Sequence, residues 1–382
     1  MVDPRIKYYP VDNGDMSLLT LSDETKILID VSITEDSSDD GNDEKYNVKK
    51  DLLDAELKTK DAHPFVDVFI LSHPDQDHIR GFEKHFFQGD LSNYSKDDKK
   101  DKKIQIYEIW YSPQVFECFN KDLSEDAVAF KKEVKRRMDL YKNNKDIADQ
   151  DGNRIRIIGY SDSDKFKELK DRISVPGTIV NEFNGKVQDD FEFFIHAPLK
   201  EDINGEERNE SSVVLQARFT VDGEKKAALA FFGGDAGWRV WGKILEKSKE
   251  EDLKWDLFLA PHHCSWTFFN DNSDEGKKQI RQSAKEILDY KTKNAKVISS
   301  CKEIKRNDDN PPSYKAMNEY IKVVGEKNFL CTATDSKTKP PEPIEFEIKS
   351  IGAQKINQTG SKNILRSTLI GETVGSPKTY GE

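Results

Sequence analysis

Cysteine is scarce in this chain: four among 382 residues, Cys118, Cys264, Cys301 and Cys331, with no C-x-x-C pair. That spacing argues against a disulfide framework or a zinc knuckle and reads as reduced thiols of a cytoplasmic protein. Long apolar runs are missing too. Nothing approaches the roughly 18–20 residues that span a bilayer, and the opening MVDPRIKYYPVDNGD lacks the apolar core of a secretory signal. Basic charge is outweighed, with 60 Lys+Arg against 71 Asp+Glu and a net charge of −11. This balance argues against a protein that coats nucleic acid by bulk attraction, although it leaves room for an enzyme with a local basic groove. Apolar residues make up only 35% and charged residues 34%, which rules out an integral membrane protein. Yet 21 Phe and 12 Tyr are too many for a disordered chain, because they can bury enough area to offset chain entropy. The length suits one large domain or two ordinary ones.

What is present alternates between strand and helix patterns. Residues 17–21 and 26–30 read as a hairpin, and residues 65–71 (FVDVFIL) as a buried strand. The acidic stretch 35–50 reads as an exposed loop leading into a helix near 51–57, and 95–103 (SKDDKKDKK) as a charged loop. Ala127, Phe130, Val134, Met138 and Tyr141 recur every three or four residues, predicting an amphipathic helix over 124–143 with Ser124 as its N-cap. Strands follow at 154–159, 191–195, 213–219, 227–232, 256–260, 297–300 and 329–333, with helices at 164–172, 239–249, 277–290 and 313–324. Asp222 and Gly223 supply a hairpin turn. The rhythm predicts an α/β sandwich with helices outside two sheets. The polar stretch 351–382, with one apolar run at 364–370, stays unassigned.

One constellation carries chemistry. Directly after the 65–71 strand come His73, Pro74, Asp75, Gln76, Asp77 and His78. Proline cannot continue a ladder, so the strand ends there and the ligand-bearing residues sit on a loop at its C-terminal end. Two carboxylates so close repel unless protons or a cation compensate. The chain has only seven histidines, so two in one polar surface loop by chance is a poor explanation. Gly233, Gly234 and Asp235 close a second apolar strand, and Pro261, His262 and His263 close a third. Asp235 alone would read as a helix N-cap. With the other two segments it reads as a metal ligand, the three strand ends converging at one edge of a sheet. His63 and His85 lack such neighbours and are expected at the surface.

These motifs, in this order, resemble the metallo-β-lactamase-fold hydrolases, in particular the soluble hydrolase domain of the competence protein ComEC and its stand-alone relatives. That family's V-G-Q-G-D turn is similar to residues 11–15, its I-L-I-D strand to 27–30, and its S-H-P-D-x-D-H-I-G-G motif to 72–81. Its N-x-x-S-x-V-L segment resembles 209–215, its G-D pair Gly234 and Asp235, and its P-H-H-G-S motif 261–265. A late histidine-proline stretch has an echo at 310–317. The likeness implies a metallo-β-lactamase-like αββα sandwich over residues 1–350, with insertions at 35–50, 88–104 and 118–190, the last of them helical. The departures are Arg80 and Cys264 where glycine is usual and Asn310 where histidine is. The wider superfamily carries histidine where Asp75 stands, and again where Asn209 aligns. His196, the spare histidine near that point, reads as structural.

The resemblance also implies a two-metal site: His73 and Asp75 on one metal, Asp77, His78 and His262 on the other, and Asp235 bridging. A bridging hydroxide would attack phosphorus, with Asp77 orienting it and His263 protonating the leaving oxygen or holding the phosphate. The oxygen-rich donor set favours manganese over zinc. The implied activity is a phosphodiesterase, in the leading reading a nuclease acting on DNA, with cyclic-nucleotide hydrolysis under a 118–190 lid as the alternative. A third reading is a non-catalytic module of a defence or mobile-element system that binds a protein partner through 118–190. For nucleic acid, basic faces are offered by Lys131, Lys132, Lys135, Arg136 and Arg137 and by Lys277, Lys278, Arg281 and Lys285. Trp266, Phe268 and Phe269 are candidates to stack on a base.

Overall fold

The computed structural model describes residues 2–117, 123–160, 163–203 and 207–356. Cys118 and the apolar run at 364–370 lie outside the described residues. Two mixed sheets face each other between layers of helix. The first runs, in spatial order, Gly352–Lys355, Ile344–Lys349, Arg5–Tyr8, Ser17–Thr20, Lys26–Ile29, His63–Ile70, Gln105–Tyr111, Arg154–Ile158 and Ile173–Ser174. It is antiparallel up to Lys26–Ile29 and parallel beyond. The second runs Ile179–Val180, Phe191–Ala197, Val214–Val221, Glu224–Phe232, Trp255–Leu259, Lys291–Ser299 and Phe329–Cys331. It turns from antiparallel to parallel at Glu224–Phe232.

The period of two along a strand sorts side chains between the layers. Val68 and Ile70 point into the space between the sheets, where they meet Ile27, Ile29, Leu215, Phe232, Leu257 and Leu259. Phe69 and Leu71 of the same run point outward beneath the Glu125–Asn143 helix, and Val66, earlier in the strand, also packs in that outer cluster. In the second sheet Phe231 and Phe258 face outward onto Trp241, Ile287 and Tyr320 of three covering helices, Trp238–Lys247, Gln282–Asp289 and Tyr314–Val324. Strands buried on both faces explain why these runs read as nearly continuous apolar sequence. Among the described residues no helix is long and apolar enough to cross a membrane.

The region expected as a helical insertion is built into this frame. Ser124 caps the Glu125–Asn143 helix by accepting from the Ala127 amide, as its position before the apolar period predicts. Phe130 packs edge-on against Phe69 and Phe82, with ring centroids 5.9 and 5.3 Å away. Arg137 is buried and donates to the carbonyls of Ile106, Tyr107 and Arg154. Residues 118–190 also supply strands to both sheets.

Other expectations change. The charged run 95–103 contains a helix, Lys96–Lys100, started by a reciprocal capping box between Ser95 and Asp98. The helix expected over 277–290 spans only Gln282–Asp289, and the first sheet continues past 350 into Gly352–Lys355. His85 is buried, 2% exposed: its helix, Phe82–His85, packs that ring inward. Burial, reinforced by Lys49, Lys84 and Lys103, pushes its pKa down to about 3. His196 behaves alike, burial and then the Arg218 guanidinium pushing it down to about 3.

Two outcomes follow from this packing. Phe130→Ala should cost about 3–5 kcal/mol in chemical denaturation, the range for emptying a buried aromatic site; an effect below about 1 kcal/mol would mean the helix is not part of the core. Below an ordinary histidine pKa of 6.5 the unfolded chain takes up protons that folded His85 and His196 refuse. Their contribution is complete above that pH and is lost as pH falls toward 3. Urea titrations should show this slope, and His196→Gln should flatten it.

Candidate metal centre

The parallel strands of both sheets end at one rim, so the convergence involves two sheets and not a single edge. Asp30 follows Lys26–Ile29 with a left-handed backbone, φ +55°. Its carboxylate accepts from the Ser72 amide at 2.7 Å and the Ser72 hydroxyl at 2.6 Å, and it holds His78 Nδ1 at 2.8 Å. With Nδ1 engaged, His78 turns Nε2 toward Asp235 Oδ1, 3.0 Å away. This is how a carboxylate fixes the tautomer of a ligating imidazole.

Asp235 is placed by the glycines before it. Gly234 has φ +48°, and a Cβ there would lie 2.9 Å from the Cβ and Oγ of Ser72, so no other residue fits without moving the His73 loop. The Asp235 amide donates to Ser212 Oγ at 3.2 Å. The Trp238–Lys247 helix takes Gly237 as its N-cap, so the Asp235 carboxylate is not spent on capping and faces the histidines. Oδ2 lies 3.5 Å from both His73 Nε2 and His262 Nε2. Oδ1 lies 3.7 Å from His263 Nε2.

His262, His263 and Cys264 all have left-handed backbones, φ +51°, +52° and +65°. Each such non-glycine residue costs on the order of 1–3 kcal/mol, so the turn must be held. The His262 amide donates to the Gly234 carbonyl at 3.0 Å and the Ser313 amide to the Cys264 carbonyl at 2.9 Å. Asn310 Oδ1 accepts from Ser265 Oγ and the Trp266 amide, both at 2.8 Å. Asn310 thus braces the histidine turn in place of offering an imidazole. The turn splits its two rings. His262 stands on the His73 side with Nδ1 3.1 Å from Thr267 Oγ1. His263 lies on the far side: Nδ1 meets the Ser300 carbonyl at 3.2 Å and Asp15 Oδ1 at 3.3 Å, and Nε2 meets Asp77 Oδ2 at 3.2 Å. The ring that meets Asp77 is thus that of His263; the resemblance had set His262 with Asp77 and His78.

Charges are compressed here. Burial disfavours an ionised Asp235, yet His78, His262, His73 and His263 outweigh it and hold its carboxyl well below the usual range. Burial likewise opposes a charged His78, but Asp235 and Asp30 hold it well above an ordinary histidine. For His263, Asp235, Asp15 and Asp77 overcome burial and raise it to about 10. Asp77 is held low despite burial by His263 and His78. His262 moves the other way, burial outweighing Asp235.

The donor set fits divalent cations. Buried atoms without a hydrogen bond include Asp15 Oδ1, His73 Nε2, Asp75 Oδ1, His78 Nε2, Asp235 Oδ1 and His263 Nε2. There are two sets of ligand atoms, Asp15 with His78 and His263, and His73 with His78 and Asp235, and within each set the atoms lie within 4.8 Å of one another. The seven residues picked from the sequence, His73, Asp75, Asp77, His78, Asp235, His262 and His263, are brought together. Asp15, Asp30 and Arg208 were missed as site residues. Asp15 and Asp30 end two of the motifs quoted above. Arg208 Nη1 lies 3.1 Å from Asp75 Oδ1, and no motif marks it.

Other candidates lie elsewhere. His196 packs between Phe194 and Phe231, at 4.7 and 5.1 Å, with Nδ1 3.2 Å from Ser248 Oγ. Asn209 opens the turn that leads to Ser212, whose hydroxyl supports Asp235. Arg80 lines a separate cleft with Glu35, Glu83, Glu125 and Asp126. Trp266, Phe268 and Phe269 are core residues, at most 1% exposed, and cannot stack on a base. Of the first basic group, Arg136 and Arg137 are bound to Glu133 and Lys135 to Asp139. In the second, Lys278 pairs with Glu275 and Arg281 stacks on Trp238. No known family model matches the chain, and no curated protein matches it.

Removing the group that orients His78 tests this geometry. Asp30→Ala should weaken metal binding about 10- to 100-fold, read as metal content after dialysis. Cations compete with the proton that Asp235 and Asp30 hold on His78, so uptake should release protons and tighten as pH rises; calorimetry in buffers of different ionisation enthalpy reads this directly.

Proposed function

We propose that this protein is a metal-dependent phosphodiesterase of the metallo-β-lactamase fold, acting on nucleic acid and in particular on DNA. The observation that carries the reading is the buried Asp235 carboxylate ringed by His73, His78, His262 and His263, with Asp15, Asp75 and Asp77 at its edges. The succession of two mixed sheets between helices, with these residues at the strand ends, supports the family. His73, Asp75 and His262 would hold one cation, Asp77 and His78 a second, with Asp235 between the two groups. Paired divalent ions supply a low-pKa water and neutralise charge on phosphate oxygens. Manganese suits the carboxylate-rich set best, zinc next.

The remaining groups divide the proton work. Asp77 Oδ2 orients the attacking water. His263 keeps Nδ1–H directed at the Ser300 carbonyl and Asp15, which leaves the Nε2 proton facing the reaction. Water adds to phosphorus, the bond from phosphorus to the leaving oxygen breaks, and that oxygen takes the Nε2 proton. The proton lost by the attacking water restores the acid through Asp77, 3.2 Å away. A neighbouring carboxylate that keeps an imidazole protonated is what a general acid needs.

Purified protein incubated with Mn²⁺ should cleave single-stranded or duplex DNA, and EDTA should abolish it. Asp77→Ala and Asp235→Ala should each fall below about a hundredth of the wild-type rate. Turnover of a cyclic dinucleotide without DNA cleavage would shift the substrate to a small nucleotide. Metal binding without turnover of any phosphodiester, RNA included, would instead identify a partner-binding module.

A further inference from the structure

The cation beside Asp75 has no role in the scheme above. Arg208 projects from the segment between strands Phe191–Ala197 and Val214–Val221, and its Nη1 lies 3.1 Å from Asp75 Oδ1. Asp75 is two-faced: Oδ2 points toward His73 Nε2, 3.7 Å away, while Oδ1 is buried without a hydrogen bond. Arg208 therefore reaches the cluster itself. A guanidinium carries five donors in a planar fork. Among the described residues Asp75 is the one carboxylate within ion-pair distance of Arg208, and the contact uses a single nitrogen. The Arg208 side chain is 32% exposed, as is that of Asp77, against 23% for Asp75 and 21% for His262, so it stands with them on the open side of a site whose inner members, His73, His78, His263 and Asp235, are buried.

We propose that Arg208 is the anion anchor of this site: it rests on Asp75 and presents its free donors to a phosphate oxygen of the substrate. The inference rests on the metal-dependent phosphodiesterase reading and narrows the ligand to a group with geminal anionic oxygens, such as phosphate. A partly exposed ion pair contributes little, so shifting a guanidinium edge from carboxylate to phosphate costs little. A bidentate, charge-assisted contact to phosphate gains more. Arg80 cannot serve in its place, because it lines a cleft with four carboxylates.

The test uses Mn²⁺-loaded protein and inorganic phosphate, with affinity read by calorimetry and by Mn²⁺-induced relaxation of the phosphorus resonance, and metal content measured on each sample. Arg208→Ala should bind Mn²⁺ at least as fully as wild type and lose phosphate affinity about 10- to 100-fold. Arg208→Lys should recover only part of that loss, because an ammonium cannot fork. Arg208→Gln, with unfolding followed in parallel, guards against a folding defect. Phosphate affinity within twofold of wild type in all three variants would overturn the inference, as would loss of Mn²⁺ in Arg208→Ala, which would make Arg208 a support for Asp75 alone. Wild-type protein that binds no Mn²⁺ would overturn the phosphodiesterase reading itself, before the arginine is reached.

Discussion

A carboxylate cannot be ionised inside a protein without compensation, and Asp235, 3% exposed, is ionised. Desolvating such a charge costs several kcal/mol even after relaxation, so everything around it is arranged as counter-charge. Four imidazoles turn toward it, and two of them are in turn held by carboxylates, His78 by Asp30 and His263 by Asp15 and Asp77. Protons can balance such a cluster, and so can divalent cations. The sheets supply the geometry: parallel strands from both halves end at the same rim, which is where loops can gather charge without exposing the core.

Much of this was legible in the sequence. Period-two and period-three-to-four patterns placed most strands and helices, and proline and glycine marked where the ligand-bearing loops begin. What escaped was whatever depends on contacts between distant segments. Asp30 reads as the last residue of a strand, and only folding shows that it holds His78. His85 looks solitary in sequence, yet a one-turn helix carries its ring inward. The basic run 131–137 looks like a surface for phosphates, but Glu133, inside the same run, takes two of its arginines. Trp266, Phe268 and Phe269 follow the histidine turn directly, and the volume they fill lies under the covering helices. The capping box at Ser95 and Asp98 was readable locally; the density of charge around it hid the signal.

The histidine turn shows how the site is held rigid. Three successive left-handed residues cannot persist on local preference, and the bonds that restrain them come from Gly234, Asn310 and Ser313. The N-terminal turn joins the same brace. Ser300 Oγ donates to the Gly14 carbonyl at 2.6 Å, and a Cβ at Gly14 would lie 2.8 Å from the Asp77 carbonyl. Asn13 accepts from the Lys302 amide and donates to the Pro311 carbonyl. Elements from both ends of the chain thus fix the spacing between His263 and the Asp77 loop.

The pairing of strand Arg5–Tyr8 with Ile344–Lys349 carries a consequence for biosynthesis. A ribosome emits the first of these segments long before the second, so during elongation its outer ladder stays open and offers unpaired amides to any passing strand. Contacts of such sequence separation form slowly. Completion of the first sheet therefore waits for translation to reach its late strands, and until then that edge stays open to intermolecular pairing.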